Sequence, residues 1–216
     1  MGVLPITGFV LAGGRSTRMG ADKAGLNIRG KPLVKRAIDK LALFCDEVAI
    51  AGNRAGLAAF ATVVTETRVH VGPGAGIEAG LKYSARDWSL FVPVDVPLLP
   101  FELLRNWAVD VLAAERHGVK ASYLVANKQR QPSICMVHKS CVNSITRALN
   151  RGERRVKFLL DGIDLDFAAG ALAVKDAAVY APYANPRPMD MDRWFLNANT
   201  PEELAEAEKL FPAIEN

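Results

Sequence analysis

Little in this chain points to metal clusters, disulfides or membranes. Cysteine is scarce: Cys45, Cys135 and Cys141 are an odd set that cannot all pair, and none forms a Cys-x-x-Cys pattern. Each lies in an apolar stretch, which predicts buried, reduced thiols. His70, His117 and His138 are far apart, and none stands at metal-ligand spacing from another or from a cysteine. Neither a Ser-His-Asp nor a Cys-His nucleophile pattern is found. No apolar run approaches the ~20 residues of a membrane span. Met1–Val10 lacks a basic n-region and holds Pro5, so no signal peptide is expected and the expected setting is the cytoplasm. Internal repeats and low-complexity tracts are missing as well.

Charge of either sign is modest. A net charge of +4 with scattered basic residues does not imply nucleic acid, although it favours an anionic small-molecule substrate. Half the residues are hydrophobic and 23% are charged, the balance of an ordinary soluble globular protein. At 216 residues the chain is expected to be a single domain, 1–216, large enough for a real core.

Strand-like and helix-like segments alternate. Apolar runs at Ile6–Leu11, Glu47–Ala51, Thr62–Thr65 and Leu90–Val94 are separated by helical-period stretches near Pro32–Phe44, Ile77–Arg86 and Phe101–His117. In the first of those stretches Leu33, Ala37, Leu41 and Phe44 make one apolar face. This alternation predicts an α/β protein with a mainly parallel sheet and helices on both sides. In such sheets ligands bind at the carboxyl ends of the strands, where Gly13, Gly52-Asn53 and Asp95 fall here. In the second half, Ala121–Val125 and Pro132–Val137 read as strands and Lys139–Asn150 as a helix. Ala181–Asp192, with Pro182, Pro186 and Pro188, reads as a long loop. A last helix opens with Thr200 as N-cap, Pro201 at N1 and Glu203 at N3, a capping box.

The densest chemistry lies in residues 11 to 26, Leu-Ala-Gly-Gly-Arg-Ser-Thr-Arg-Met-Gly-Ala-Asp-Lys-Ala-Gly-Leu. A Gly-rich turn leaving a strand can turn several backbone N–H groups on one anion. Arg15, Arg18 and Lys23 add positive charge, and Ser16 and Thr17 add hydroxyl donors. A P-loop would need Gly-Lys-Ser/Thr where Gly20 is followed by Ala21 and Asp22, and the dinucleotide fingerprint needs a Gly-x-Gly that Gly13-Gly14-Arg15 does not supply. Further along, Phe91–Val94 delivers Asp95 from an apolar strand, where a charge needs a partner. Magnesium on nucleotide phosphates is such a partner; an aspartate opening the turn before Pro97 would look the same. Asn53 offers donor and acceptor to a base or ribose, and is equally at home in a turn. Gly74-x-Gly76-x-x-Ala79, with Asp95 about 20 residues later, satisfies a loose dinucleotide pattern, but Arg68–Val71 is a poor first strand and Pro73 sits where the turn should begin. An NAD(P)-dependent oxidoreductase is therefore a minor alternative.

The glycine-rich segment resembles the signature of nucleotidyltransferases with the nucleotide-diphospho-sugar-transferase fold, and among them the molybdenum cofactor guanylyltransferases. The likeness runs from Ile6 to Leu204, taking in Asp95-Val96-Pro97, Gly72–Gly80, Gln131–Val137, Arg151–Val156 and Asn197-Ala198-Asn199-Thr200-Pro201, and weakens between Gly170 and Arg193. It implies a three-layer, Rossmann-like α/β/α domain. It also implies transfer of GMP from GTP to the terminal phosphate of molybdopterin, with loss of pyrophosphate. Lys23, Arg18 and Asp95 would be the catalytic residues, with Mg²⁺ on Asp95. Leu11, Ala12, Gly13, Gly14, Lys23, Asn53, Glu66 and Asp95 would bind the nucleotide. Glu66, or Thr65 with the alignment shifted by one, stands where the family usually has Asp. Asn197, Asn199 and Arg155 would face the pterin substrate, although Arg151, Arg154 and Arg155 also read as a solvated basic face. Gly13-Gly14 is the family's guanylyl pattern, where cytidylyl relatives carry Ala-Gly. Other molybdenum cofactor biosynthesis proteins and acceptor molybdoenzymes would be partners, with no nucleic acid and no membrane. The alternatives are a cytidylyltransferase or other small-molecule nucleotidyltransferase of the same fold, and a non-catalytic nucleotide-binding partner of molybdoenzymes.

Overall fold

The computed structural model of the protein describes residues 2–13, 25–68, 71–183 and 191–211. The first half of the chain forms β1 (Leu4–Leu11), a ribbon of β2 (Asn27–Ile28) and β3 (Lys31–Pro32), α1 (Leu33–Ala42), β4 (Cys45–Ala51), β5 (Thr62–Val64), α2 (Pro73–Tyr83), β6 (Trp88–Pro93) and α3 (Phe101–Ala114). The second half forms β7 (Ala121–Ala126), β8 (Gln129–His138), α4 (Val142–Asn150), α5 (Val156–Asp166), β9 (Leu172–Asp176), α6 (Met191–Trp194) and α7 (Pro201–Leu210).

Seven of the strands make one sheet in the order β5-β4-β1-β6-β8-β7-β9. Strands β5, β4, β1 and β6 are parallel, as is the β7–β9 pair, while β8 runs antiparallel to both β6 and β7. The reversal at β8 follows from its two-residue connection to β7: Asn127 and Lys128 have φ of 49° and 64°, the conformation of a hairpin turn matched to strand twist. Pro132 lies where β8 slips register, with Tyr123 opposite Cys135 but Leu124 opposite Gln131. Such a bulge accommodates a residue that has no N–H for the ladder.

Alternate residues of each strand feed two cores on opposite faces of the sheet. Ile6 and Val10 of β1, Trp88, Leu90 and Val92 of β6 and Met136 of β8 pack with α1 and α3. Phe9 and Leu11, Phe91, and Cys135 and Val137 pack instead with α2, α4 and α5. This period of two is the strand signature, and it yields the expected three-layer α/β/α architecture. All three cysteines are free and buried. Burial pushes the Cys141 thiol up to about 12.

The α2 helix begins at Pro73, not at Ile77 as periodicity predicts. Proline suits the first helical turn because that N–H has no partner in the helix anyway. Gly74 lies against Leu159 and Leu149 rather than in a phosphate turn, since a Cβ there would stand 2.5 Å from Leu159 Cδ1. The loose dinucleotide pattern is thus a helix-packing feature. Strand β9 and helix α5 are additions to the predicted elements. Within 181–192, Ala181–Tyr183 forms a 3-10 turn and α6 opens at Met191, while residues 184–190 lie outside those described. The capping box at α7 is formed as expected: Glu203 N–H donates to Thr200 Oγ1 at 3.2 Å, and the Glu203 carboxylate accepts from Thr200 N–H at 3.1 Å and Asn199 N–H at 2.7 Å.

Candidate functional site

The register of the four parallel strands decides which residues meet. Leu11 of β1 lies opposite Ala51 of β4 on one side and Pro93 of β6 on the other, and Ala51 lies opposite Val64 of β5. Two residues beyond that row come Gly13, Asn53, Glu66 and Asp95. The row of candidates across the carboxyl edge is therefore Glu66, Asn53, Gly13 and Asp95, about 14 Å from end to end at ordinary strand spacing. Backbone pairing holds the strand ends together just before they part: Ala12 N–H donates to Ala51 O at 3.0 Å, Gly52 N–H to Val64 O at 3.1 Å, and Val94 N–H to Leu11 O at 3.2 Å. The chain winds from β1 outward through β4 to β5, then returns to place β6 on the other side of β1. Gly13 and Asp95 flank that reversal, the position at which open α/β sheets leave a crevice for ligands.

Asn53 is exposed, and its Oδ1 accepts the Glu66 N–H at 2.8 Å. The asparagine predicted to meet a nucleotide thus also pins the neighbouring loop. The Glu66 side chain is half-buried, and burial raises its carboxyl above the ordinary value. Arg68, two residues later, is held by the buried Glu78 of α2 through Nε at 2.6 Å and by Asn150 Oδ1 at 2.6 Å. These are contacts for which the sequence offers no local signal, because they join the loop after β5 to α2 and α4.

Asp95 is half-buried between the buried Val94 and Val96. Its backbone carbonyl accepts the N–H of Ala198 at 2.8 Å, which brings Asn197-Ala198-Asn199 to the end of β6. The Asn199 N–H is taken by Glu203, so the cap of α7 also sets the position of this segment. Arg155 is placed differently. It is 74% exposed, its guanidinium lies 4.1 Å above the Phe158 ring, and Nε is 3.7 Å from Glu153 Oε1. With its guanidinium largely in solvent and its neighbours on its own segment, the solvated-face alternative describes its surroundings best.

Gly14, Arg15, Ser16, Thr17, Arg18 and Lys23 lie outside the described residues, as does His70. The ribbon that follows this loop is firmly anchored. Arg36 of α1 is buried and donates through Nη2 and Nε to Ile28 O at 2.6 and 3.2 Å, and its guanidinium lies 4.3 Å from the Phe211 ring. The Arg29 N–H donates to Glu208 Oε1 of α7 at 2.8 Å. The described residues on either side of 14–24 are therefore held, one side by β1 and the other by α1 and α7. Of the remaining histidines, His117 is exposed and His138 pairs with Ser140 Oγ at 2.8 Å and faces Glu115 at 3.4 Å, away from this edge. No group of three or more His, Cys, Asp or Glu side chains able to hold a metal occurs among the described residues.

Known proteins are similar to this chain in sequence and in fold. A family model described as the MobA-like NTP transferase domain matches residues 8–165. A molybdenum cofactor guanylyltransferase of Serratia proteamaculans is 35% identical over 185 residues, covering 83% of this chain and 88% of that protein. One from Yersinia pestis is 33% identical over 198 residues, covering 88% of this chain and 94% of its own. Among solved structures, the molybdopterin-guanine dinucleotide biosynthesis protein A of Archaeoglobus fulgidus superposes with a TM-score of 0.74 at 21% identity, covering 94% of this chain and 97% of that one. With the family model spanning β1 through α5 and the relatives extending across most of the rest, the chain belongs to the MobA-like NTP transferases and is a nucleotidyltransferase.

Proposed function

We propose that the whole chain is a single nucleotidyltransferase domain that serves molybdenum cofactor biosynthesis by transferring GMP from GTP to the terminal phosphate of molybdopterin. An oxygen of that phosphate attacks the α-phosphorus of GTP, the bond to the β-phosphate oxygen breaks, and pyrophosphate leaves. The observation that carries this reading is the row Glu66, Asn53, Gly13, Asp95, set two residues past one register line at the reversal point of the sheet. Its support is the kinship with guanylyltransferases across most of the chain.

The attacking phosphate is already ionised at neutral pH, so no general base is required, and catalysis rests on positioning and charge neutralisation. Leu11, Ala12, Gly13 and Gly14 line the nucleotide with backbone, and Asn53, with Oδ1 occupied by Glu66 N–H, meets a base or ribose acceptor with its Nδ2 donors. Glu66 takes the place of the family's Asp. Lys23 and Arg18 neutralise the triphosphate from the glycine-rich loop. Asp95 fits a nucleotide-borne magnesium ion: it offers a single carboxylate at a strand end, and Mg²⁺ in nucleotide sites is held by one or two carboxylates with phosphates and waters. When bound there, the ion supplies charge neutralisation at the phosphates of the leaving pyrophosphate. Asn197 and Asn199, tied to Asp95 through Ala198, border the acceptor side, and Arg155 is a more distant candidate for the pterin phosphate. No helix among the described residues is long and apolar enough to cross a membrane, and we place the enzyme in the cytoplasm beside the molybdoenzymes that receive the product.

The test is pyrophosphate release by purified protein with Mg²⁺ and molybdopterin, comparing GTP with CTP. Release with GTP alone is expected. Release with CTP would keep the fold and the mechanism but overturn the base assignment. GTP binding without release, by folded protein, would favour the non-catalytic partner, and nicotinamide binding indifferent to Lys23→Ala would favour the oxidoreductase.

A further inference from the structure

Arg68 lies outside strand and helix, yet three side-chain bonds hold it. Its Nε donates to Glu78 Oε2 at 2.6 Å, and its Nη2 donates to Glu78 Oε1 at 3.3 Å and to Asn150 Oδ1 at 2.6 Å. Glu78 is buried in α2 and also accepts from Lys82 Nζ and Thr146 Oγ1, so the anchor is itself fixed between α2 and α4. Asn150 is the last residue of α4. Two residues before Arg68, Glu66 is tied through its N–H to Asn53 Oδ1, and its Oε1 occupies a seat left by two glycines. A Cβ on Gly13 would stand 2.5 Å from that oxygen, and one on Gly76 of α2 would stand 3.1 Å from it. Thr65 and Thr67 are exposed, so their side chains do little to place the loop. Arg68 thus fastens the loop after β5 to α2, the same helix that forms one wall of the Glu66 seat.

Resting on the guanylyltransferase reading above, we propose that Arg68 is a positioning residue for nucleotide binding: by clamping the loop after β5 to Glu78 and Asn150, it sets the places of Glu66 and Asn53 in the nucleotide row. A guanidinium suits this task because its planar fork meets a carboxylate with two donors and still reaches a further acceptor. Its Nε and Nη2 are engaged by α2 and α4, so it acts through the loop and not as a contact to the nucleotide. Without the clamp, the Glu66 N–H parts from Asn53 Oδ1 more often, and the carboxylate leaves its seat more often. Asp95 stands at the opposite end of the row, so the loss falls on holding the nucleotide rather than on the chemical step.

A mutant cycle tests this. R68A and R68K, each with and without E66A, are compared with wild type for GTP affinity by calorimetry and for KM and kcat with molybdopterin. Hydrogen exchange at the Glu66 amide is followed by NMR without ligand. R68A is expected to weaken GTP binding about 10-fold, as a rise in KM for GTP rather than a fall in kcat. Its Glu66 amide should exchange at least about 10-fold faster. R68K keeps a charge beside Glu78 but loses the fork, so it should fold even where R68A does not and still weaken GTP binding by about 3-fold or more. In the E66A background either change should alter GTP binding by less than about 2-fold. If Arg68 variants cost the same factor in both backgrounds, Arg68 meets the nucleotide directly and the proposal is overturned. GTP affinity unchanged in E66A, or unchanged in the Arg68 variants, overturns it too, as does an undisturbed Glu66 amide. A wild type that binds no GTP would refute the guanylyltransferase reading alone, and the amide exchange would then judge the clamp by itself.

Discussion

Glu78→Gln removes one charge from the α2 face without changing its shape. Glu78 is 2% exposed and accepts from Arg68 Nε at 2.6 Å, Arg68 Nη2 at 3.3 Å, Lys82 Nζ at 2.8 Å and Thr146 Oγ1 at 2.7 Å. Burial by itself would raise its carboxyl; the bonds to Arg68, Lys82 and Thr146 outweigh that and hold it at about 2. Against an unfolded value of about 4.3, the difference is worth roughly 3 kcal/mol at neutral pH. Because the folded value lies below the unfolded one, this stabilisation is complete above about pH 5 and is lost as the pH falls through about 2. Roughly half of it, about 1.4 kcal/mol, survives at pH 3. The glutamine also turns an amide donor toward two cations, a penalty that adds to the loss but does not depend on pH. Urea unfolding of wild type and variant at pH 7 and pH 3 separates the two, since every other carboxylate titrates in both proteins and cancels. The expected deficit is at least about 3 kcal/mol at pH 7, a drop in Tm of roughly 6–12 °C for a chain this size. It should shrink by about 1.7 kcal/mol at pH 3. A deficit under about 1 kcal/mol at pH 7, or one equal at both pH values, would refute the reasoning.

Further outcomes follow from the site and from α7. Lys23→Ala should lower turnover by at least about 100-fold, the scale of losing one charge stabiliser at a reacting phosphate; retention of most wild-type turnover would remove Lys23 from the site. Asp95→Ala should lose activity together with its response to magnesium, and an unchanged magnesium titration would exclude Asp95 as the metal ligand. Thr200→Ala removes the acceptor of the Glu203 N–H and should cost about 1 kcal/mol, read as a Tm lower by a few degrees; a variant as stable as wild type would show that the cap contributes nothing to folding.

The parts of the fold that were legible in the sequence are those written in local pattern. Strands β1, β4 and β6 are each built on an apolar run, and their observed ends fall within two residues of those predicted. The α7 cap is visible because Thr200 and Glu203 satisfy each other's backbone within one turn. Elements held by distant partners were not legible. Helix α5 has Gly162 in its interior and owes its place to Leu159, Leu160 and Ile163 in the core shared with α2 and α4. Strand β9, Leu-Ala-Val-Lys-Asp, has no fully buried residue and exists because β7 supplies its ladder. The glycine-rich start of α2 reads as a loop by propensity, and packing overrides it.

The same division runs through the site. Gly13, Asn53 and Asp95 could be singled out because each closes a strand, and register then places them side by side. What register cannot convey is reach. Glu66 leaves β5 at the outer edge of the row, yet its carboxylate arrives at Gly13, passing the strand that carries Asn53. A shorter acid in the same backbone position would stop short of that seat, and a larger residue than glycine at 13 or 76 would close it. The contact between the Glu66 carboxylate and the two glycines thus joins three positions that no sequence window contains.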